Sequence, residues 1–212
     1  MSSPIVEYNW DFIDKVVYIN LDNRVDRRKR MERVTETFGD KVIRLSAIKD
    51  DRDGAVGCLK SHIAVMTMAV EQQWKNVLVL EDDVEFNDFD NGIKRLETLL
   101  RSPYDVIMLG GTTAVFDRNT FKVSNSQSAA SYLVNNHYFE TLLTNFKEGL
   151  KNLLLHPEGH QHLYSADRCW CELQRRDNWY IVFPSLMYQV PDYSDIVKGN
   201  VDYRQYFGVG TL

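Results

Sequence analysis

The chain lacks any apolar run approaching the ~18 to 20 consecutive residues that cross a bilayer, so no membrane-spanning helix is expected. Cysteine is scarce. Cys58, Cys169 and Cys171 are an odd number, and the last two stand too close in sequence for a comfortable disulfide. A disulfide scaffold is therefore not expected. "CWC" has no second ligand pair at zinc-site spacing, which leaves small buried residues as its expected role. The opening "MSSPIVEYNW" has neither the basic n-region nor the apolar h-region of a secretory signal. With the cysteine usage, this predicts a cytoplasmic protein in a reducing compartment. Five prolines and 11 glycines nowhere gather with serine into a linker, and no repeat is visible. The expectation is one domain over 1–212, which a longer protein could carry as a module. Basic charge is not in excess: the formal net charge of −5 argues against a dedicated nucleic-acid binder, whose affinity rests on neutralising phosphates.

What is present is an alternation of strand and helix patterns. "VVYIN" (16–20), "KVIRL" (41–45), "NVLVL" (76–80), "YDVIML" (104–109), "SYLV" (131–134) and "YIVFP" (180–184) read as strands. Met31, Val34 and Phe38 share one helical stripe, and Leu59, Ile63, Met66 and Val70 another. "HYFETLLTNFKEGLKNLLL" carries apolar residues at i, i+3, i+4, i+7 spacing, and "SADRCWCELQRR" reads as a short helix. Such alternation predicts an α/β layered fold with ligands at the carboxyl ends of the strands. Two polar clusters, "INLDNR" after the first strand and "EDDVE" after the third, then share one sheet edge.

The acidic cluster poses the chemical question. Glu81, Asp82 and Asp83 follow a buried apolar run directly, with Glu85, Asp88 and Asp90 beyond. Crowded like charges raise one another's pKa and cost stability unless a cation offsets them. Oxygen-only ligands suit Mg²⁺ or Mn²⁺ held jointly with a substrate phosphate. A calcium loop beginning at Asp83 fails, because Asp88 stands where glycine is needed and Lys94 where the bidentate glutamate belongs. "GAVGCLKS" fails as a phosphate loop, with Leu59 at the second glycine position and no strand before it. The acidic motif of nucleotide-sugar enzymes remains, as a short and common pattern. In "HPEGHQH", His156, His160 and His162 lack the helical spacing of zinc hydrolases and read as a loop.

Taken in order, "VVYINLDNRVDRRKRM", "RLSAIKD", "GAVGCLKSHIAVM", "VLVLEDDVEF", "SYLV" and "PSLMYQVPDYSDI" resemble glycosyltransferase family 25, the lipooligosaccharide and procollagen galactosyltransferase type. The chain is also similar to the compact glycosyltransferase modules encoded by large algal viruses. The resemblance covers roughly 15–197, although "FDRNTFKVSNSQSA" departs from it. It implies a GT-A fold, a Rossmann-like layered domain with a mixed central sheet flanked by helices. It further implies a uridine diphosphate sugar donor, often of galactose, Mn²⁺ or Mg²⁺, inversion at the anomeric carbon, and a glycan or glycoprotein acceptor. For a virus-encoded member the compartment would be the host cytoplasm.

By that resemblance Asp83 is the direct metal ligand and Glu81 a second or water-mediated one, while Asp82, turned to the other side of the strand, contacts ribose. Ile19, Asn20, Leu21, Asp22 and Ala47 are expected around the nucleotide. Arg24, with Arg27 or Arg28, is expected on the diphosphate beside a helix N-terminus. Lys29, Arg30 and Arg33 read as a solvated helix face. Lys60 is a donor contact, and His62 is either part of the site or a satisfied core histidine. Asp167 is the candidate general base, with helix capping as its bland alternative. Gln189, Ser194 and Asp195 lie where a C-terminal segment could close over the donor. Two other functions stay open: a sugar-nucleotide pyrophosphorylase, although "INLDNRVDRR" lacks that class's glycine-rich loop, and a non-catalytic carbohydrate-binding module using the tyrosines and tryptophans.

Overall fold

A computed structural model describes residues 8–156, 161–194 and 196–207. In chain order the elements are β1 (Lys15–Asn20), α1 (Val25–Thr35), β2 (Val42–Ser46), α2 (Gly54–Glu71), β3 (Asn76–Glu81), β4 (Val84–Phe86), α3 (Phe89–Leu99) and β5 (Val106–Met108). There follow β6 (Thr112–Phe116), β7 (Val123–Gln127), β8 (Ser131–Asn135), α4 (Phe139–Leu155), α5 (Gln161–Tyr164), α6 (Ala166–Cys169) and α7 (Cys171–Arg176). The last elements are β9 (Trp179–Ile181), β10 (Met187–Gln189), β11 (Asp192–Ser194) and β12 (Gly199–Val201).

The central sheet runs β2-β1-β3-β8-β5-β9, and β8 is antiparallel to both its neighbours. The middle positions of β1, β3 and β8 are almost all apolar because both faces are covered, and polar residues fall at the strand ends. On β1 and β3, Val17, Ile19, Val77 and Val79 pack on one side with residues of α2 and α4. Val16, Tyr18, Leu78 and Leu80 pack on the other with Met31 of α1 and Ile93, Leu96 and Leu99 of α3. This is the α/β layering expected from the strand and helix alternation, with the mixed sheet that the family resemblance implied.

Several boundaries differ from the sequence reading. The β5 strand is shorter than "YDVIML", because Tyr104, Asp105 and Leu109 lie outside its ladder. The α2 helix begins at Gly54, where the Asp53 carboxylate accepts the Ala55 N–H at 2.9 Å. Its buried stripe is Leu59, His62, Val65, Met66 and Ala69, so Ile63 and Val70 only flank the core. The "SADRCWCELQRR" helix is two short helices, α6 and α7. Asp88 and Asp90 belong to α3: Asp88 caps the helix, accepting the Asn91 N–H at 3.4 Å, and Asp90 lies in its first turn. The α3 stripe of Ile93, Leu96 and Leu99 went unread although its spacing is helical, and the three-residue strands β4, β10, β11 and β12 went unread because so few residues carry no periodicity.

Gly57 shapes the site. A Cβ there would meet the Ile48 carbonyl oxygen at 2.5 Å and the Asp50 nitrogen at 3.0 Å, both backbone atoms of the loop after β2. Gly57→Ala gains up to ~1 kcal/mol of helix propensity but forces that loop away, at about 1–3 kcal/mol. We expect a lower melting temperature and a weakened ligand response in the variant; a protein at least as stable with unchanged ligand binding would contradict this role.

Candidate functional site

A cavity of about 370 Å³ opens where β1, β2 and β3 end, within the roughly 300–1,000 Å³ usual for ligand sites. Parallel strands bring their carboxyl ends to one edge, so loops far apart in sequence become its walls. Ile19 and Leu21 come from the end of β1, Arg24 and Arg27 from α1, and Ala47 to Arg52 from the loop after β2. Gly57, Cys58, Ser61 and His62 present one face of α2. The strand end supplies Glu81, Asp82 and Asp83, and the returning C-terminal segment supplies Gln189, Ser194 and Ile196.

That return depends on β10 pairing antiparallel with β4, with Gln189 opposite Val84, and on Val190 donating its N–H to the Asp83 carbonyl at 2.7 Å. The Gln189 amide then stands between the two carboxylates, its Nε2 3.4 Å from both Glu81 Oε2 and Asp83 Oδ1. Burial first, then the Glu81 charge, raises the Asp83 pKa to about 7 against the opposing pull of Arg27. A carboxylate pair facing a cavity suits a hard divalent cation: on the Asp83 side Glu81 Oε2 and Asp83 Oδ1 are oxygen donors, and Arg27 offsets only part of the charge.

Arg27 is buried among acids. Its Nη1 reaches Asp82 Oδ1 at 2.8 Å and Asp83 Oδ2 at 3.3 Å, its Nε reaches Asp192 Oδ2 at 3.2 Å, and its Nη2 donates to the Tyr193 carbonyl at 2.9 Å. Burial opposes ionisation of Asp192, yet the Tyr193 N–H and the guanidiniums of Arg27 and Arg24 hold its carboxyl below the usual range. Asp82 also accepts from Asn20 Nδ2 at 2.7 Å. Its carboxylate thus ties β1 and α1 to the end of β3 while still lining the cavity where the sequence reading expected ribose.

Other expected residues divide. Ile19, Leu21, Arg24, Ala47, Glu81, Asp82 and Asp83 line the cavity. Asn20 lies beneath it, fully buried, accepting from Arg44 Nε at 3.1 Å. Asp22 is exposed and paired with Arg44, and Lys60 is paired with Asp50 at 3.0 Å. Neither side chain is on the wall, because each finds an opposite charge on a neighbouring loop. Arg24 bonds Asp26 at 2.9 Å and reaches Asp192 at 3.3 Å. Arg30, half-buried, reaches Asp192 at 3.5 Å, whereas Lys29 and Arg33 form the exposed helix face.

Asp167 is half-buried beside the cavity and is not among its lining residues. It accepts the Ser128 N–H at 3.1 Å and the Ser165 hydroxyl at 2.8 Å. The Ser128 hydroxyl donates to Gln189 Oε1 at 3.0 Å, so one chain of contacts runs from Asp167 to the acidic pair. His62 is fully buried, with Nδ1 2.7 Å from the Tyr132 hydroxyl and Nε2 3.5 Å from Glu81 Oε1. Burial, then the Glu81 charge, pushes the Cys58 thiol well above its usual value. His156 ends α4 and packs on Tyr164, while Asp195 and His160 lie outside the described residues. Sequence reasoning missed Cys58 and Asp192. The i, i+4 spacing of Cys58 and His62 was the available signal for the first, and no local signal existed for the second.

Residues 52–124 match the model of "Glycosyltransferase family 25 (LPS biosynthesis protein)", a stretch from the cavity loop through α2 and the acidic strand end into β7. The chain is 27% identical to a Drosophila melanogaster glycosyltransferase 25 family member, across 46% of the chain and 21% of that protein. It is 27% identical to Mus musculus procollagen galactosyltransferase 2, across 58% of the chain and 23% of that protein. These alignments span less than a quarter of either relative's length. Among solved structures it superposes on a glycosyltransferase involved in the glycosylation of the major capsid of PBCV-1, with a TM-score of 0.56 at 11% identity, covering 85% of this chain and 93% of that one. Sequence and architecture therefore point the same way: residues 52–124 are similar to glycosyltransferase family 25, and the chain shares the GT-A type of α/β fold.

Proposed function

We propose that the chain is a metal-dependent glycosyltransferase. It moves a hexose or deoxyhexose from a uridine diphosphate sugar to a hydroxyl of a growing glycan, lipooligosaccharide-like or on a viral capsid protein, with inversion. The observation that carries this reading is the convergence of Glu81 and Asp83 on the cavity, with a neutral amide between them and the Asp83 pKa raised. These two carboxylates would hold Mn²⁺ or Mg²⁺. When bound, the ion offsets the negative charge that gathers on the departing diphosphate, a contribution of several kcal/mol in such sites.

The protein's own groups do the rest. Arg24 and the first N–H groups of α1 stand at the rim, suited to orient the diphosphate. Ile19, Leu21 and Ala47 form the apolar part of the wall, which excludes water around the nucleotide. Inversion is a single displacement: the acceptor oxygen bonds the anomeric carbon as the bond to the diphosphate oxygen breaks. The hydroxyl proton passes to a carboxylate, for which Asp167 is the candidate. Each of its oxygens keeps a lone pair beyond the bonds from Ser128 and Ser165.

Incubating the chain with uridine diphosphate sugars and Mn²⁺ tests the reading. The expected result is release of uridine diphosphate that requires the metal and accelerates with a glycan acceptor. Pyrophosphate release from sugar phosphate and uridine triphosphate would overturn it in favour of a pyrophosphorylase, and no turnover with any donor would favour a binding module.

A further inference from the structure

Cys58 and His62 stand one helical turn apart on α2, so both side chains meet the end of β3. Cys58 Sγ lies 3.7 Å from Glu81 Oε1, and His62 Nε2 lies 3.5 Å from the same oxygen. All three donor atoms fall within 4.8 Å of one another. His62 is 0% exposed, its Nδ1 meets the Tyr132 hydroxyl, and its Nε2 makes no hydrogen bond although it faces the cavity. A buried ring nitrogen without a hydrogen-bond partner is uncommon in folded proteins and points to a ligand.

The spacing identifies the ligand's class. Zinc bonds of about 2.3 Å to sulfur and about 2.0 to 2.2 Å to nitrogen and oxygen, at tetrahedral angles, place nitrogen and oxygen ~3.4 Å apart and sulfur and oxygen ~3.6 Å apart. Two of the observed edges are 3.5 and 3.7 Å, the second carrying the Cys58 thiol hydrogen bond to Glu81, and the third, sulfur to nitrogen, lies within 4.8 Å, so the three donors need only a small inward shift to close on one ion. A hydrogen-bonding partner on the other ring nitrogen, here Tyr132, is what orients a metal-binding imidazole. We propose that Cys58, His62 and Glu81 form a second metal position, selective for a thiophilic divalent ion such as Zn²⁺, with its fourth coordination place open to the cavity.

Binding replaces the thiol proton, released to solvent, by the metal–sulfur bond. One thiolate, one imidazole and one carboxylate suit zinc, whereas Mn²⁺ and Mg²⁺ prefer oxygen donors. Glu81 serves both positions, Oε1 toward Cys58 and His62, Oε2 toward Gln189 and the Asp83 side. A thiophilic ion would therefore compete for Glu81 with the hard ion of the proposed reaction, so zinc is expected to inhibit a manganese-dependent activity.

The test uses the full chain, stripped with chelator and titrated with Co²⁺, without nucleotide. One equivalent should develop the near-ultraviolet thiolate-to-cobalt charge-transfer band with tetrahedral visible bands, and Zn²⁺ should bleach both. Cys58→Ser should abolish the charge-transfer band and His62→Ala should weaken Co²⁺ binding at least tenfold. Asp83→Asn and the double variant Cys169→Ser/Cys171→Ser should keep the band. Absence of the band in the unaltered chain, or its survival in Cys58→Ser, would overturn the proposal. Neither result bears on whether Mn²⁺ and uridine diphosphate bind through Asp83, which is read separately by thermal shift.

Discussion

Asp83→Asn is expected to abolish the rise in melting temperature that uridine diphosphate gives in the presence of Mn²⁺, and to cut sugar transfer by at least about 100-fold. The size follows from the loss of a few kcal/mol of charge stabilisation at about 1.4 kcal/mol per factor of ten. The same variant should behave oppositely without metal. Asp83 has a folded-state pKa of about 7, raised by burial and by Glu81 above the ordinary carboxylate value near 4. Its contribution to stability is full below pH ~4 and is lost as pH rises toward 7, because the unfolded chain gives up this proton first. The metal-free stability of the unaltered chain, minus that of Asp83→Asn, should thus fall by up to about 1.4 kcal/mol per pH unit between pH 5 and 7. Asp26 and Asp192, whose pKa values are lowered, run the other way and cancel in the difference. Denaturant titrations at three pH values measure it. A flat difference, with an unchanged nucleotide response, would remove Asp83 from the site.

Arg27→Met carries the second large effect. The guanidinium is the buried partner shared by Asp82, Asp83 and Asp192, and removing it leaves three carboxylates facing one another. Breaking a buried ion pair from one side typically costs about 3–5 kcal/mol. In a chain of this size that lowers the melting temperature by on the order of 10 °C. Arg27→Lys keeps the charge but loses the fork that spans Asp82 and Asp192, so it should fall in between. Adding Asp82→Asn to Arg27→Met should recover part of the loss, since Asp82 is the partner at 2.8 Å. Mn²⁺ should stabilise Arg27→Met more than the unaltered chain, because the ion then meets acids with less internal compensation. A cost below about 1 kcal/mol would mean that water already screens the cluster.

Much of the fold was legible because its signals are local. Apolar runs at β1 and β3, the 3.6-residue stripe of α4 and the turn "LDN" depend on neighbours within a few residues, and each element stands where that pattern placed it. The Glu81-Asp83 pair was legible for the same reason: an acidic triplet directly after a buried run marks a strand end at the ligand edge of an α/β sheet. Asp22 and Lys60 were read toward the site because a sequence gives a charge's identity but not its partner. Arg44 and Asp50, on neighbouring loops, took them up.

By itself, then, the sequence determined the layered α/β scheme, the position of the acidic pair, and the one-turn spacing of Cys58 and His62. Those follow from backbone geometry, which repeats every two or 3.6 residues whatever the rest of the chain does. Only the tertiary structure decided that Gln189 lies between Glu81 and Asp83, that Asp192 shares Arg27 with Asp82, and that Cys58 and His62 face Glu81 rather than the core alone. Gln189 reaches Asp83 across 106 positions of sequence, held by two strands of three residues each. Strands that short have no periodicity to read, and their pairing depends on the sheet and helices that hold both segments at the same edge.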